Sequence, residues 1–271
     1  MSAGDPWVPL LFVIIAGIPH GAADGLVARR VGLARGWIRA LAYYAGYLAS
    51  VLLVLLAWQL APVPGLAIFL ILSWLHFGLG DARPTRRASL ANQVLAHGGL
   101  VAVVVPVVHP GAVSGLFEIL SGSGSHRVLD VLRWAGFPIW CLATLAYLVQ
   151  DGLKPSSGPF EVLVLAGICL MLPPLWAFAI YFCLVHSVRH FRQLAMLFRA
   201  SPEVKHGWRE IAILSALAWL MIVAVALGFE TPLTLDNAFV KATFVVVAAL
   251  TVPHMILIDG LRAIATKTMP R

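Results

Sequence analysis

The residues best suited to chemistry are two histidines, His186 and His190, that stand four positions apart in an apolar stretch. In a helix this spacing places both imidazoles on one face. An imidazole is costly in hydrocarbon, so polar side chains inside a membrane usually face the bundle interior and mark function. Such a pair offers two nitrogens to one metal ion. Two core histidines, each bonded to a neighbouring carbonyl, would have the same spacing.

Three further histidines lie in short motifs near the ends of other apolar runs. The motifs are Pro19-His20-Gly21-Ala22-Ala23-Asp24, Trp74-Leu75-His76-Phe77-Gly78-Leu79-Gly80-Asp81 and Val252-Pro253-His254-Met255-Ile256-Leu257-Ile258-Asp259. If the N-terminus lies outside, all four histidine-bearing helices run from the outer to the inner side, and five imidazoles reach a similar depth. Chance would scatter them, so the pattern favours a metal site. His109, His126 and His206 fall at the surfaces and are expected to be solvated or interfacial.

The ligand type limits which metal the site binds. Neutral imidazoles without nearby thiolates suit iron, zinc or copper and disfavour magnesium and calcium. Chemistry with dioxygen needs iron or copper and an open coordination position. The cysteines Cys141, Cys169 and Cys183 all fall within apolar runs and are expected to be buried, inert thiols.

The carboxylates near the histidines are better suited to orienting an imidazole than to binding the metal. Asp24 follows His20 by four residues and shares its face, so it can accept a ring N–H from that histidine or a neighbouring one. Asp81 and Asp259 follow their histidines by five residues, about 140° around a regular helix. They reach the same centre only if the helix bends. The alternative, interfacial carboxylates paired with arginine, stays open.

Composition identifies a polytopic membrane protein. The chain has 271 residues, of which 61% are apolar and 11% charged, and a mean hydropathy of +0.91. We therefore predict an all-α transmembrane bundle of about nine helices (eight to ten), forming one integral-membrane domain over residues 1–271. The apolar runs are 7–27, 38–60, 64–80, 90–109, 131–150, 159–172, 175–198, 209–228 and 238–264. Pro173-Pro174 separates two of them, and the Gly/Ser-rich stretch 110–130 is predicted to be an outer loop.

The charge pattern predicts the orientation of these helices. The net charge is +7, and no basic and aromatic strip suggests a nucleic-acid partner. With the N-terminus outside, the inner side holds Arg29, Arg30, Arg35, Arg39, Arg83, Arg86, Arg87, Lys154, Arg199, Lys205, Arg209, Lys267 and Arg271. The outer side keeps Arg127, Arg133, Lys241, Glu230 and Asp236. This asymmetry follows the positive-inside rule and supports both the number of helices and their direction in a multi-pass membrane protein.

At these residues the sequence resembles the Brp/Blh family, membrane β-carotene dioxygenases that make retinal for microbial rhodopsins. The matching motifs are Pro19-His20-Gly21-Ala22-Ala23-Asp24, His76-Phe77-Gly78 with Asp81, His186-Ser187-Val188-Arg189-His190, and Pro253-His254 with Asp259. Each is weak alone, but four in order across the chain are specific.

The resemblance implies cleavage of the central double bond of β-carotene by dioxygen, giving two retinals. It also implies Fe(II) bound by His20, His76, His186 and His190, and it leaves open whether His254 binds the metal or orients a ligand. The implied partners are β-carotene, dioxygen and the lipid bilayer, with a functional link to a rhodopsin, and the implied location is the bacterial or archaeal plasma membrane.

Aromatic residues near the histidines are candidates for lining a substrate tunnel. They are Trp74, Phe77, Tyr181, Phe182 and Phe191, and ordinary helix packing is the alternative for each. Other functions also stay open: a di-iron lipid desaturase or hydroxylase, a transporter, or a non-enzymatic metal- or haem-binding membrane protein. A desaturase would have several histidine boxes, whereas this chain has one His-xxx-His pair. A transporter would place ionisable residues near mid-membrane rather than toward one face.

Overall fold

The computed structural model describes residues 5–83, 87–197, 204–228 and 233–268, without the side chains of 197, 204–206 and 262–268. These residues are almost entirely helical, and no strand occurs among them. The ten helical segments are α1 Trp7–Arg30, α2 Trp37–Leu60, α3 Pro62–Asp81, α4 Leu90–Val108, α5 Pro110–Ser121, α6 Ser123–Asp151, α7 Gly158–Met171, α8 174–197, α9 Val204–Leu227 and α10 Leu235–Thr268. The predicted all-α class is confirmed.

Seven of these segments are long and apolar enough to cross a membrane: α1, α2, α3, α4, α6, α9 and α10. The other two predicted crossings, 159–172 and 175–198, correspond to α7 and α8. Helix α7 has only 14 residues, about 21 Å, whereas the hydrocarbon core is about 30 Å thick. The second half of α8 is polar and includes Arg189 and Arg192. The predicted count of about nine thus comprises seven clear spans and two shorter or more polar helices.

The predicted loop conformation of 110–130 is wrong, because most of this stretch is helical, and its location on the outer side stays a prediction. Pro110 begins α5 in the first-turn position, where its missing N–H costs nothing. The helix ends at Ser121, and Gly122 turns the chain at a φ of +83°. The next helix, α6, starts directly afterwards at Ser123.

The chain packs as two compact units. The first comprises Met1–Leu10 and Ala61–Arg189, and the second comprises Leu11–Leu60 and His190–Arg271. Helices α1 and α8 contribute residues to both units. One integral-membrane domain over residues 1–271 stays a prediction. Of the charges used for the orientation, Arg86, Arg199, Glu230 and Arg271 and the side chains of Lys205 and Lys267 lie outside the described residues, as does the side chain of His206.

Within the first unit, α4 is the central helix and packs on α3 and α6. Glycines at the α3–α4 contact let the two backbones approach closely: a Cβ on Gly98 would collide with the carbonyl oxygen of Trp74. The Leu100 N–H bonds the His97 carbonyl, and the indole N–H of Trp140 in α6 donates to the Ala96 carbonyl over 2.9 Å. These bonds fix the part of α4 that precedes its π-helical segment, Leu100–Val104.

Within the second unit, the part of α1 from Leu11 onward packs with α9 and α10. One cluster of buried side chains joins Leu26 and Val27 to Ile211 and Leu257. Arg29 at the end of α1 forms an ion pair with Glu210 of α9. Helix α2 exposes most of its leucines, as expected of a helix that faces lipid.

Candidate metal centre

Helices α3 and α8 bring His76 and His186 together inside the first unit. The two side chains are buried, and their Nε2 atoms lie 3.1 Å apart. Imidazole nitrogens bind a first-row metal ion at about 2.1 Å, so two adjacent ligands at right angles lie about 3 Å apart. An N–H···N hydrogen bond has a similar length. The spacing of the pair therefore matches both two ligands of one ion and a direct hydrogen bond.

A buried aspartate, Asp81, lies beside this pair. Its Oδ2 accepts a hydrogen bond from the Tyr181 hydroxyl (2.7 Å) and lies 3.4 Å from Nδ1 of His186. Its Oδ1 is 3.4 Å from Nη1 of Arg189. Asp81 thus contacts the histidine of α8 rather than His76, five residues earlier in its own helix. The sequence left two alternatives for Asp81, an imidazole contact or an ion pair with arginine, and both occur together.

A π-helical segment in α8 explains why Tyr181 and His186 reach the same carboxylate oxygen. Residues five apart in an α-helix point about 140° apart. Tyr181–His186 is π-helical, and the wider turn of a π-helix, with its i→i+5 bonds, brings such residues onto nearly the same face. Gly80 also lets the ring approach, since a Cβ at this position would lie 2.7 Å from Cε1 of His186.

Aromatic rings pack against the two histidines. The ring centre of Phe77 lies 4.8 Å from that of His186 and 5.8 Å from that of His76. Phe182 stacks on His186 at 6.3 Å and contacts Phe77 at 6.0 Å. Trp74 has a different contact, since its indole N–H donates to the Leu95 carbonyl (2.9 Å). A substrate tunnel lined by these residues stays a prediction.

Three further histidines form a group inside the second unit. The ring centre of His20 lies 5.5 Å from that of His190 and 5.2 Å from that of His254, and the last two are 5.3 Å apart. The three side chains are buried. Three imidazoles around one ion, with nitrogens at about 2.1 Å, would have ring centres about 5 Å apart. These distances are compatible with a shared ion, and they are also those of aromatic rings that pack edge to face, as these three do.

Hydrogen bonds to oxygen define which ring nitrogen two of these histidines offer. Nδ1 of His254 donates to Oδ1 of Asp24 (2.8 Å), and the Tyr47 hydroxyl donates to Oδ2 of the same carboxylate (3.1 Å). Nδ1 of His20 bonds the Gly17 carbonyl. A carbonyl or carboxylate oxygen only accepts, so Nδ1 of both rings carries the proton and Nε2 is the nitrogen able to bind a metal.

The remaining predicted residues have other surroundings. Phe191 lies beside His190 at a ring-centre distance of 6.5 Å and packs on the core of the second unit. Asp259 is partly buried in α10, and its role stays a prediction. His109 is partly buried and bonds the Cys169 carbonyl (2.8 Å), while His126 is exposed. Cys169 and Cys183 are buried free thiols as expected, but Cys141 is exposed.

Two buried or half-buried polar residues escaped the sequence analysis. His97 is fully buried in α4, and its Nδ1 lies 4.0 Å from Oε1 of Glu161 in α7. Glu161 also forms ion pairs with Arg83 and Arg189. The sequence does contain a signal for Glu161, because a carboxylate inside an apolar run, here 159–172, often has a function.

These residues fit an imidazole-bound transition metal. His186 in the first unit, and His20 and His254 in the second, each direct Nδ1 at a carboxylate or carbonyl oxygen, the arrangement that typically orients metal-binding imidazoles. Neutral nitrogen donors of this kind are compatible with Fe(II). The fold and the histidines thus define the class of protein: a helical membrane protein with an imidazole-rich interior suited to a metal.

Comparison with known proteins identifies the family. Residues 11–262 match the family described as Beta-carotene 15,15'-dioxygenase. The chain is 32% identical over 255 residues to the beta-carotene 15,15'-dioxygenase of uncultured marine bacterium 66A03, covering 93% of this chain and 92% of that protein. It is 30% identical over 301 residues to a protein of Halobacterium salinarum named probable beta-carotene 15,15'-dioxygenase Blh, covering 94% and 84%. No solved structure matches.

The chain belongs to the beta-carotene 15,15'-dioxygenase family. The resemblance seen in the motifs is confirmed, and so is the expectation of an enzyme of the carotenoid dioxygenase class. The family match covers all four histidine-bearing motifs of the chain.

Proposed function

We propose that this protein cleaves the central double bond of β-carotene with dioxygen and releases two molecules of retinal. The family match over residues 11–262 carries this proposal. The C15–C15′ double bond breaks, and each of its carbons receives one oxygen atom as an aldehyde. Both atoms of dioxygen are used, so no further reductant is needed.

The cofactor of the proposal is Fe(II), held by His20, His76, His186 and His190. Support comes from the burial of these four imidazoles and from the oriented Nδ1 atoms of His20 and His186. Iron would supply the activation of dioxygen. His254 is a further candidate ligand, because Asp24 orients it and its ring is as near to His20 and His190 as these two are to each other.

The protein's own residues would supply orientation and an apolar enclosure. Asp24 and Asp81 accept ring N–H groups and so direct the Nε2 atoms of His254 and His186. Phe77 and Phe182 cover the imidazoles of the first unit with apolar surface. β-Carotene is a long apolar rod that dissolves in the bilayer, so a helical membrane enzyme can receive it laterally. Holding its central bond in place is a positioning task.

The proposed setting is the plasma membrane, with the chain as a multi-pass protein. The seven apolar helices support a membrane location. Retinal is the chromophore of rhodopsins, so a rhodopsin in the same membrane is the proposed consumer of the product.

Purified protein provides the test of this function. Protein loaded with Fe(II) without oxygen and then given β-carotene and ¹⁸O₂ should yield two retinals, each with one labelled oxygen when exchange with water is suppressed. His186→Ala and His190→Ala should lose iron and activity together. His126→Ala, a change of an exposed histidine, is the control and should keep both. Absence of retinal from iron-loaded protein, or a strong haem band in the visible spectrum, would refute the proposal.

A further inference from the structure

A chain of four charged side chains runs through the first unit from the buried histidine pair toward its surface. Arg189 lies between two carboxylates: its Nη1 is 3.4 Å from Oδ1 of Asp81, and its Nη2 bonds Oε1 of Glu161. The other oxygen of Glu161 pairs with Nη2 of Arg83 at 2.6 Å. Asp81 in turn contacts His186. Glu161 is thus two ion pairs away from the histidine.

The charges of this chain balance. Asp81 has a fully buried side chain, those of Arg189 and Glu161 are 19% and 22% exposed, and that of Arg83 is 53% exposed. An isolated carboxylate as buried as Asp81 would be strongly disfavoured. Two carboxylates and two guanidinium groups sum to zero, so Asp81 keeps its charge while one oxygen remains available to His186.

Glu161 determines how Arg189 is shared. Arginine prefers to bind a carboxylate with two parallel N–H groups, and here the guanidinium is instead divided between two carboxylates. Without the charge of Glu161, Arg189 would turn fully toward Asp81 and compete with Nδ1 of His186 for that carboxylate. The imidazole would then lose its orientation and part of its donor strength.

We propose that Glu161 is a positioning residue for the metal-binding nitrogen of His186, acting through Arg189 and Asp81. The proposal rests on the proposed iron site. It gives a role to a carboxylate of the apolar helix α7 that touches no histidine of that site. His97, whose Nδ1 lies 4.0 Å from Oε1 of Glu161, is a further polar group beside it.

The test is Glu161→Gln, which keeps the size of the side chain and removes its charge. Fe(II) is titrated without oxygen into the chelator-treated full-length protein, and thermal stability is measured on the same sample. We expect iron affinity about tenfold weaker, at the lower end of the usual 10–100-fold effect of residues that orient a ligand. Glu161→Asp should restore part of the loss. Glu118→Gln, which changes an exposed glutamate of α5, is the matched control and should bind iron as the wild type does.

Wild-type iron affinity in Glu161→Gln would overturn the inference. A lowered melting temperature together with that unchanged affinity would show that the ion pair is purely structural. A double-mutant cycle with Asp81→Asn adds a second criterion: the two effects on affinity should be strongly non-additive if Glu161 acts through Asp81, and additivity would contradict that.

The same titration separates this inference from the iron site on which it rests. His186→Ala should lower the affinity more than Glu161→Gln does. If His186→Ala binds iron normally, the proposed ligand set fails. If His186→Ala loses iron and Glu161→Gln does not, the ligand set stands and only the role of Glu161 is refuted.

Discussion

Asp24 accepts a 2.8 Å hydrogen bond from Nδ1 of His254, a residue 230 positions further along the chain. The contact joins α1 to α10 inside the second unit, and the hydroxyl of Tyr47 from α2 completes it. Three helices therefore meet at one buried carboxylate. His254, whose role the motifs left open, has its Nδ1 fixed by this bond, so its Nε2 is the nitrogen able to bind a metal.

The first prediction concerns Asp24→Asn. Asparagine keeps one acceptor oxygen for Nδ1 of His254 but lacks the charge that strengthens the imidazole as a donor. We expect iron binding to weaken about 10–100-fold, with β-carotene cleavage slower even at saturating iron. Asp130→Asn, at an exposed aspartate of α6, should change neither iron titration nor turnover. If Asp24→Asn matches the wild type in both, the carboxylate is structural.

The second prediction concerns His254→Ala. The imidazole is as close to His20 and His190 as these two are to each other, so we expect its loss to weaken iron binding at least as much as Asp24→Asn does. His20→Ala and His76→Ala should behave like His186→Ala. Iron at wild-type affinity together with lost turnover would make His254 an orienting residue rather than a ligand.

A third prediction tests the hydroxyl that bonds Asp81. Tyr181→Phe removes the 2.7 Å donor from a buried carboxylate, which should lower the free energy of unfolding by about 1–3 kcal/mol. Tyr147→Phe is a matched control, because the Tyr147 hydroxyl is also buried but has no hydrogen-bond partner among the described residues. Both variants are compared by denaturation in mild detergent. Equal losses would show that the Tyr181 bond contributes no specific stability.

A fourth prediction tests orientation in the membrane. Reporter fusions at Arg86 and Lys205 should both report the inner side. The positive-inside pattern is the reason. Arg86 lies outside the described residues, and so does the side chain of Lys205. Fusions placing the two positions on opposite sides would require a different number of crossings between them.

Much of the fold could be predicted because a membrane helix is a local pattern. Each long apolar run gave a helix, and Pro173-Pro174 separated α7 from α8 as expected. The loop prediction for 110–130 was wrong because the glycines and serines of this stretch signal a loop, whereas Pro110 and the apolar residues after it begin a helix that ends only at Ser121. Composition could not decide between these opposing local signals.

The side-chain partners were harder to predict because they depend on contacts between distant segments. Spacing suggested that Asp24 accepts an imidazole N–H, but not that the imidazole belongs to His254. The five-residue spacing of His76 and Asp81 describes only their own helix, whereas the π-helical segment Tyr181–His186 in another helix determines which residues face Asp81. A one-residue widening of a helix is not visible in hydrophobic periodicity, so the contact of Asp81 with Tyr181 and His186 could not be predicted from the sequence.

The last prediction concerns the close approach of Gly80 to His186. A Cβ added at Gly80 would lie 2.7 Å from Cε1 and 3.1 Å from Nδ1 of the ring, so Gly80→Ala must displace the imidazole from Asp81. Alanine favours a helix more than glycine does, so the helix itself should not be weakened. We therefore expect Gly80→Ala to fold in the membrane but to bind iron at least tenfold more weakly, the loss typical of a misoriented ligand.

Gly111→Ala in α5 is the control for this change, because a Cβ there meets nothing within 4 Å. It should keep wild-type iron affinity and turnover. Circular dichroism separates a displaced ring from a disrupted fold, since only the latter lowers helix content. If Gly80→Ala keeps wild-type helix content and wild-type iron affinity, the ring tolerates displacement, and the position of His186 beside Asp81 is not what determines iron binding.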